Sequence, residues 1–379
     1  MQQATRAVLD RCYELGFALA GIAPAEPTRY EPQLRQWLSQ AKHGEMQYLA
    51  QHTPQRIDPR NMVPGAKSII CVADRYHAHS TEETKPRRPD TGSRSSLHGE
   101  TSISPDDRPR GRIARYARGE DYHAVMSKRL RRLADELGRQ FPGETFRVCV
   151  DTAPVLEREH AQRAGLGAVG KHTLLIEPGV GSYLLLAQII TTVQLAPSQP
   201  CDTDPCGECT RCIDACPTDA ITPFSVDATK CISYLTIEHR STIDERYHER
   251  MGDWIFGCDI CQEVCPHNQP TQRSRSAPVQ PAYAPRRDGF DLLEVLGWDE
   301  QARREAFLRS AMKRAKLSMM KRNALIAAGN WLAKSNHPAL ARRVQAIAAD
   351  PAEDDLVRRT AQAVLRKPIE RLAPSASEG

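Results

Sequence analysis

The chain contains no apolar run of about 18 residues, the length a membrane-crossing helix needs, which excludes a helical membrane span. Cysteine is scarce where a disulfide-stapled secreted domain would need it: the first 200 residues hold three, Cys12, Cys71 and Cys149. Large apolar residues are nearly missing from 79–110, a stretch of Ser, Thr, Pro, Gly and charge that cannot bury a core, and we read it as a mobile insertion. Acidic residues are nearly missing from 303–322, where Glu305 stands alone. The N-terminal segment MQQATRAVLDRCYELGFALAGI places charges inside its apolar pattern, which suits an amphipathic helix better than a signal peptide. A cytoplasmic location is expected.

What is present is a 379-residue chain with 40% hydrophobic and 26% charged residues and a modest net charge of +5, the profile of a globular protein long enough for two or three domains. Residues 1–195 read as an α/β domain. Ala66 to Ala73 carries a β-branched strand run, 121–140 shows helical spacing of Val125, Leu130, Leu133 and Leu137, and a strand Phe146 to Val150 ends on Asp151. A helix over 157–164 and an apolar strand over 183–193 complete the alternation. A cysteine-rich segment occupies 196–270 and a Pro/Arg/Ser-rich linker 271–287. Over 288–379, amphipathic helices are predicted at 303–328, 339–349 and 354–365, a HEAT-like region with a disordered tail.

Eight of the twelve cysteines lie between Cys206 and Cys265. Cys206-x2-Cys209-x2-Cys212-x3-Cys216-Pro217 is the ferredoxin run, whose first three thiolates hold one [4Fe-4S] cube while the fourth ligates another. A structural zinc ribbon is the rival, but it would leave the x3-Cys-Pro ending unexplained. In the second run, Cys258-x2-Cys261-x3-Cys265-Pro266, one member is missing, and Cys231 can supply it. With each Cys-Pro cysteine crossing over, one cluster takes Cys206, Cys209, Cys212 and Cys265, and the other Cys216, Cys231, Cys258 and Cys261. Cys201, Cys12, Cys71 and Cys149 fit better as ordinary thiols.

Blocks spread over 1–335 then resemble the epoxyqueuosine reductases, cobalamin-dependent enzymes of the last step of queuosine synthesis in tRNA. They are Arg115-Tyr-Ala117 with Asp121-Tyr-His123, Val150-Asp-Thr152, Glu157-Arg158, Arg163-Ala-Gly-Leu-Gly167, Lys171, Cys231-Ile-Ser-Tyr-Leu-Thr-Ile-Glu238, Gly257-Cys-Asp-Ile-Cys-Gln262 and Lys321-Arg-Asn323. The chain departs from that family at Ala168-Val-Gly-Lys-His172 and at His267-Asn268. The resemblance implies a cobalamin-binding domain like that of reductive dehalogenases, a ferredoxin-like domain with two [4Fe-4S] clusters, C-terminal helical repeats, an external low-potential electron donor and a monomer.

Reduction of an epoxide to an alkene needs low-potential electrons, a group that engages carbon, and an acid for the departing oxygen. The resemblance assigns the acid to Asp151, whose carboxyl would need burial to raise its pKa; by itself the residue reads as a helix or turn cap. Arg56, Ala114, Asp151, Ser233 and Asp259 are carried over as cobalamin contacts, Ala114 and Ser233 through backbone atoms. His123 and His172 read as structural, and no DxHxxG-type cobalt-ligand motif is present. Lys313, Arg314, Lys316 and Arg322 are carried over as tRNA contacts on the basic segment, otherwise a solvated face. A reductive dehalogenase of small molecules and a ferredoxin-type carrier are the alternatives. The dehalogenase would call for a twin-arginine signal, and the carrier leaves the first 195 residues without work.

Overall fold

The computed structural model describes residues 1–77 and 108–366. In chain order its principal elements are α1 (Gln2–Glu14), β1 (Leu19–Pro24), β2 (Ser68–Arg75), β3 (Arg110–Ile113), α2 (Tyr122–Gln140), β4 (Phe146–Cys149), α3 (Glu157–Arg163), β5 (Leu184–Thr191), β6 (Trp254–Phe256), β7 (Gly289–Asp291), α4 (Leu292–Gly297), α5 (Glu300–Ala306), α6 (Leu317–Leu332), α7 (Pro338–Ala349) and α8 (Asp355–Arg366).

The β-branched run over β2 is buried at every position because both faces of its sheet are covered. Side chains alternate across a strand. Ile70 and Val72, with Ile22 of β1 and Ile189 of β5, pack on Val8 and Cys12 of α1 and on Met126, Leu130 and Leu133 of α2. Ile69 and Cys71, with Ala23, Cys149 and Ile190, face Ala161 of α3 and the Ala164–Leu166 turn behind it. The strand order is β1-β2-β5-β4, and every neighbouring pair is antiparallel. The mixed architecture is therefore α+β, because β5 inserts between β2 and β4 and runs against both. Asp151 follows β4, but the parallel-sheet reason for expecting function at a strand end does not apply here.

A second sheet, ordered β6-β3-β7, draws one strand from each of three distant regions. β6 runs parallel to β3 and β7 antiparallel. Gly111 permits this: a Cβ there would stand 2.6 Å from Ile255 Cγ2. Of the 79–110 segment, 79–107 lies outside the described residues, and its last residue, Arg110, opens β3. Segment 271–287 forms a packed strap. Thr271 and Ser274 make a reciprocal capping box, and buried Tyr283 donates its hydroxyl to Asp74 Oδ2 at 2.8 Å.

The basic segment 303–322 is not one amphipathic helix. α5 ends at Ala306, Phe307 and Met312 turn inward, Arg309 adopts φ +56, and a 3-10 turn Ala311–Arg314 precedes α6. Nor is α6 amphipathic, since it is buried at 319–328 and packs against both α7 and α8. Arg322, expected to meet tRNA, is 0% exposed. Its guanidinium donates to the carbonyls of Leu235 (2.6 Å), His239 (2.8 Å) and Ser241 (2.7 Å), closing the C-terminal end of the helix Ile232–Ile237. Asn323 Nδ2 adds donations to Thr236 O and Ile255 O, each at 2.9 Å. The expected tail at 367–379 lies outside the described residues.

Arg322→Met would leave three buried carbonyls without a donor, which should cost roughly 3 kcal/mol. A lower urea midpoint, unchanged in kind by added salt, is the expected observation.

Candidate active site

Asp121 caps α2 by accepting from the His123 backbone N–H at 3.1 Å. The same oxygen, Oδ1, lies 2.8 Å from His123 Nδ1. This turns the far ring nitrogen, Nε2, toward Asp151 Oδ2 at 3.2 Å. Tyr122 stacks on the imidazole with ring centroids 4.0 Å apart and shares a hydrogen bond with Asp151. Asp151 itself adopts φ +52, a left-handed conformation that Asp tolerates better than most residues. Its backbone N–H is held by Glu157 Oε1 at 2.8 Å. Cap, strand end and helix start thus meet at one carboxylate.

Asp151 remains 54% exposed although protein crowds it on most sides, the situation of a side chain on the floor of an open hollow. Burial pushes its carboxyl up, but the His123 hydrogen bond and charge, the Tyr122 hydroxyl and the Arg314 charge outweigh this and hold it below the usual range. The expected neutral Asp151 is therefore not the resting form, because water reaches it and a cationic partner lies against it. The proton resides beside it. Burial opposes the charge on His123, but Asp121 and Asp151 together raise it to about 9. Glu157 is pushed up to about 8, by burial first and then by the Asp151 charge.

Around the hollow, Arg56 donates to Val155 O at 3.4 Å and its Nε has no protein partner. Tyr48 carries Arg314 over its ring at 5.3 Å. Lys313, Arg314 and Lys316 are exposed between α5 and α6, Lys313 standing 3.6 Å from Asp121 Oδ2 and Arg314 paired with Glu238. Asp259 is fully buried and accepts from Arg115 N at 2.8 Å. Ala114 is buried too; its N–H is given to Phe256 O and its carbonyl accepts from Ala117 N at 3.0 Å, which leaves it one carbonyl lone pair. Ser233 is half-buried on the helix Ile232–Ile237. His172 Nδ1 accepts from Leu174 N at 3.1 Å, its buried Nε2 has no protein partner, and burial lowers it to about 4. His123, read from the sequence as structural, stands between two carboxylates; its place in Asp121-Tyr-His123, on the first turn of a capped helix, was the available signal.

The cysteines sort by mutual electrostatic influence. Cys212 responds to Cys206 and Cys209, and Cys265 to Cys206 and Cys212. Cys231 responds to Cys216, and Cys258 to Cys261 and Cys231. One influence crosses between the groups, Cys212 on Cys261. Backbone N–H groups point at sulfur: Lys171 to Cys206 at 3.3 Å and Ala220 to Cys216 at 3.4 Å. Among the described residues no group of three or more His, Cys, Asp or Glu side chains is drawn together as for a single ion. Cys12, Cys71 and Cys149 are buried, their thiols pushed up by burial.

Fold and site together define an iron–sulfur oxidoreductase with a carboxylate–histidine centre. A profile described as "4Fe-4S double cluster binding domain" matches 205–268, and one described as "Epoxyqueuosine reductase QueG, DUF1730" matches 56–152. The epoxyqueuosine reductase of Cyclobacterium marinum is 39% identical over 328 residues, 85% of this chain and 96% of that one. That of Escherichia coli is 35% identical over 322 residues, covering 84% and 78%. A crystal structure of epoxyqueuosine reductase with a tRNA-Tyr epoxyqueuosine-modified stem loop superposes with TM-score 0.79 at 25% identity, covering 96% and 89%. The chain belongs to the epoxyqueuosine reductase family and is an oxidoreductase with two [4Fe-4S] clusters. Among the described residues no helix is long and apolar enough to cross a membrane.

A pH titration of labelled histidine, assigned with His123→Gln, should show His123 protonated through neutrality and titrating near about 9. In Asp151→Asn, which removes one of its two anionic partners, that midpoint should fall by about a unit or more.

Proposed function

We propose that the chain reduces epoxyqueuosine to queuosine at the wobble position of tRNA, using cobalamin and electrons from two [4Fe-4S] clusters, with Asp151 passing a proton to the departing oxygen. The observation that carries this reading is that Asp151, open to solvent and held by His123 at 3.2 Å, has the Arg314 charge acting on it and Lys313 beside its neighbour Asp121. A base splayed from an RNA loop would reach the carboxylate while its phosphates meet the cations. An external low-potential donor feeds the clusters, and the protein works as a cytoplasmic monomer.

The residues present suit cobalamin. Arg56 brings an unpartnered buried Nε toward Asp151, Asp259 is held by Arg115, and Ser233 and Ala114 would supply the remaining contacts. When bound, cobalamin supplies the low-potential centre that engages carbon. The chain's own residues do the rest: Arg314 and His123 keep Asp151 ionised until substrate covers it, and covering it removes water and strengthens burial's upward push on its pKa. Arg322 holds the helix that carries Ser233 and so acts through structure. The cluster assignment is Cys206, Cys209, Cys212 and Cys265 for one cube and Cys216, Cys231, Cys258 and Cys261 for the other, with the two Cys-Pro cysteines exchanged between runs.

Three outcomes check this. Reconstituted protein with cobalamin and a strong reductant should remove one oxygen from epoxyqueuosine-containing tRNA, read by nucleoside mass spectrometry. Asp151→Asn, which keeps the left-handed turn, should keep both clusters and lose turnover by about a hundredfold or more; full activity would sink the assignment of the acid. Cys265→Ser should lower bound iron from about eight toward about four per chain, and an unchanged iron content would overturn the crossover.

A further inference from the structure

We propose that His123 stores and resupplies the proton used at Asp151, so that Asp121, His123 and Asp151 form a relay from the cap of α2 to the floor of the hollow. The inference rests on the reading of Asp151 as proton donor and goes beyond it by naming where the proton is kept. Three observations carry it. Both ring nitrogens are engaged by carboxylates, at 2.8 Å and 3.2 Å, a geometry that an imidazolium satisfies with two donated hydrogen bonds and a neutral ring with one. His123 is 33% exposed. It also borders an open groove along α2 lined by Asp121, Ser127, Lys128 and Arg131. A substrate over the hollow would part Asp151 from water while His123 kept its own route to solvent.

The chemistry requires such a store. Converting an epoxide to an alkene breaks both C–O bonds, forms the C=C bond and consumes two electrons and two protons, with the oxygen leaving as water. The electrons come one at a time from a low-potential donor through the clusters. A carboxylate holds one proton at most, and here it rests ionised. In the relay, His123 Nε2 first passes its proton to Asp151 Oδ2, and Asp151 then gives that proton to the departing oxygen. The neutral ring keeps its Nδ1–H on Asp121 and is recharged from the groove for the second proton.

The groups facing His123 agree in sign. Asp121 lies on its own helix, with Tyr122 stacked on the ring. Asp151 and Glu157 face it from the β4–α3 segment. The cations stand one step further out: Lys313 against Asp121, Arg314 already paired with Glu238, and Lys128 and Arg131 along the groove. The two touching carboxylates dominate, which places the charged ring's titration near about 9.

The test is the pH profile of kcat/KM for wild type, His123→Gln and Asp151→Asn, with iron content and tRNA binding measured on each. Wild type should lose activity as pH rises through about 9. In His123→Gln, Asp151 must carry its own proton, so the alkaline limb should move down by about two units or more. Turnover at pH 8 should then fall at least about tenfold, recovering as pH is lowered, with iron and tRNA binding kept. Asp121→Asn, which preserves the helix cap, should move the limb in the same direction by less, and serves if His123→Gln does not fold. A wild-type alkaline limb in the variants, or an equal loss at every pH, overturns the relay. If Asp151→Asn is inactive while the His123→Gln profile is unchanged, the relay fails and the acid assignment stands. If Asp151→Asn is fully active, the reading beneath both fails.

Discussion

Strand β3 holds the molecule together. Two paired residues bind it to β6 from the cluster segment and three to β7 from the C-terminal segment, and its Gly111 lets Ile255 close on the backbone. The chain leaving β3 is then gripped at successive points. Arg115 N donates to Asp259 Oδ2 at 2.8 Å, Glu120 N to Ala282 O at 2.9 Å, and Asp121 N to Arg309 O at 2.8 Å. Each bond ties the approach to α2 to a different distant segment. The position of His123, at the end of this run, therefore depends on all three regions being folded together.

Charge is buried in quantity, and it is buried in company. Arg75 meets Glu177 at 2.6 Å, Asp74 takes Arg129 and the Tyr283 hydroxyl, Lys321 meets Glu353 at 3.0 Å, and Arg322 is sealed among carbonyls. Such pairs gain little net stability over apolar packing of equal shape, yet each is costly to half-remove. They act as locks between segments remote in sequence: Asp74 to the strap through Tyr283, and α6 to the helix of Ser233 through Arg322. The partly exposed groups at the hollow behave differently. There, charge is left unbalanced in favour of a protonated histidine, and the arrangement can do work on a proton.

Much of this was legible in the chain itself. The cysteine spacings announce the clusters because a cube imposes two- and three-residue gaps on any segment that wraps it, whatever the surrounding fold. The apolar run of β2 and the heptad-like spacing of α2 are visible because local periodicity follows from burial of one or both faces. Cys12, Cys71 and Cys149, set apart from the clusters because they fit neither run's spacing, prove to be buried.

Sequence by itself determined the chemistry the protein has available: eight thiolates in two runs, a carboxylate after a strand, and a family pattern spread along the chain. Tertiary structure alone decided which groups act on one another. That Arg322 is a buried lock and Lys313 and Arg314 are exposed cations could not be read from one basic segment, because a charge pattern does not reveal which residues a turn at Arg309 and a two-sided helix will swallow. That the sheet is antiparallel follows from where β5 inserts, a choice made by pairing between distant strands. The proton sits on His123 rather than Asp151 because folding brings the end of β4 within 3.2 Å of the first turn of α2, and the protonation state of either side chain depends on the distance between them.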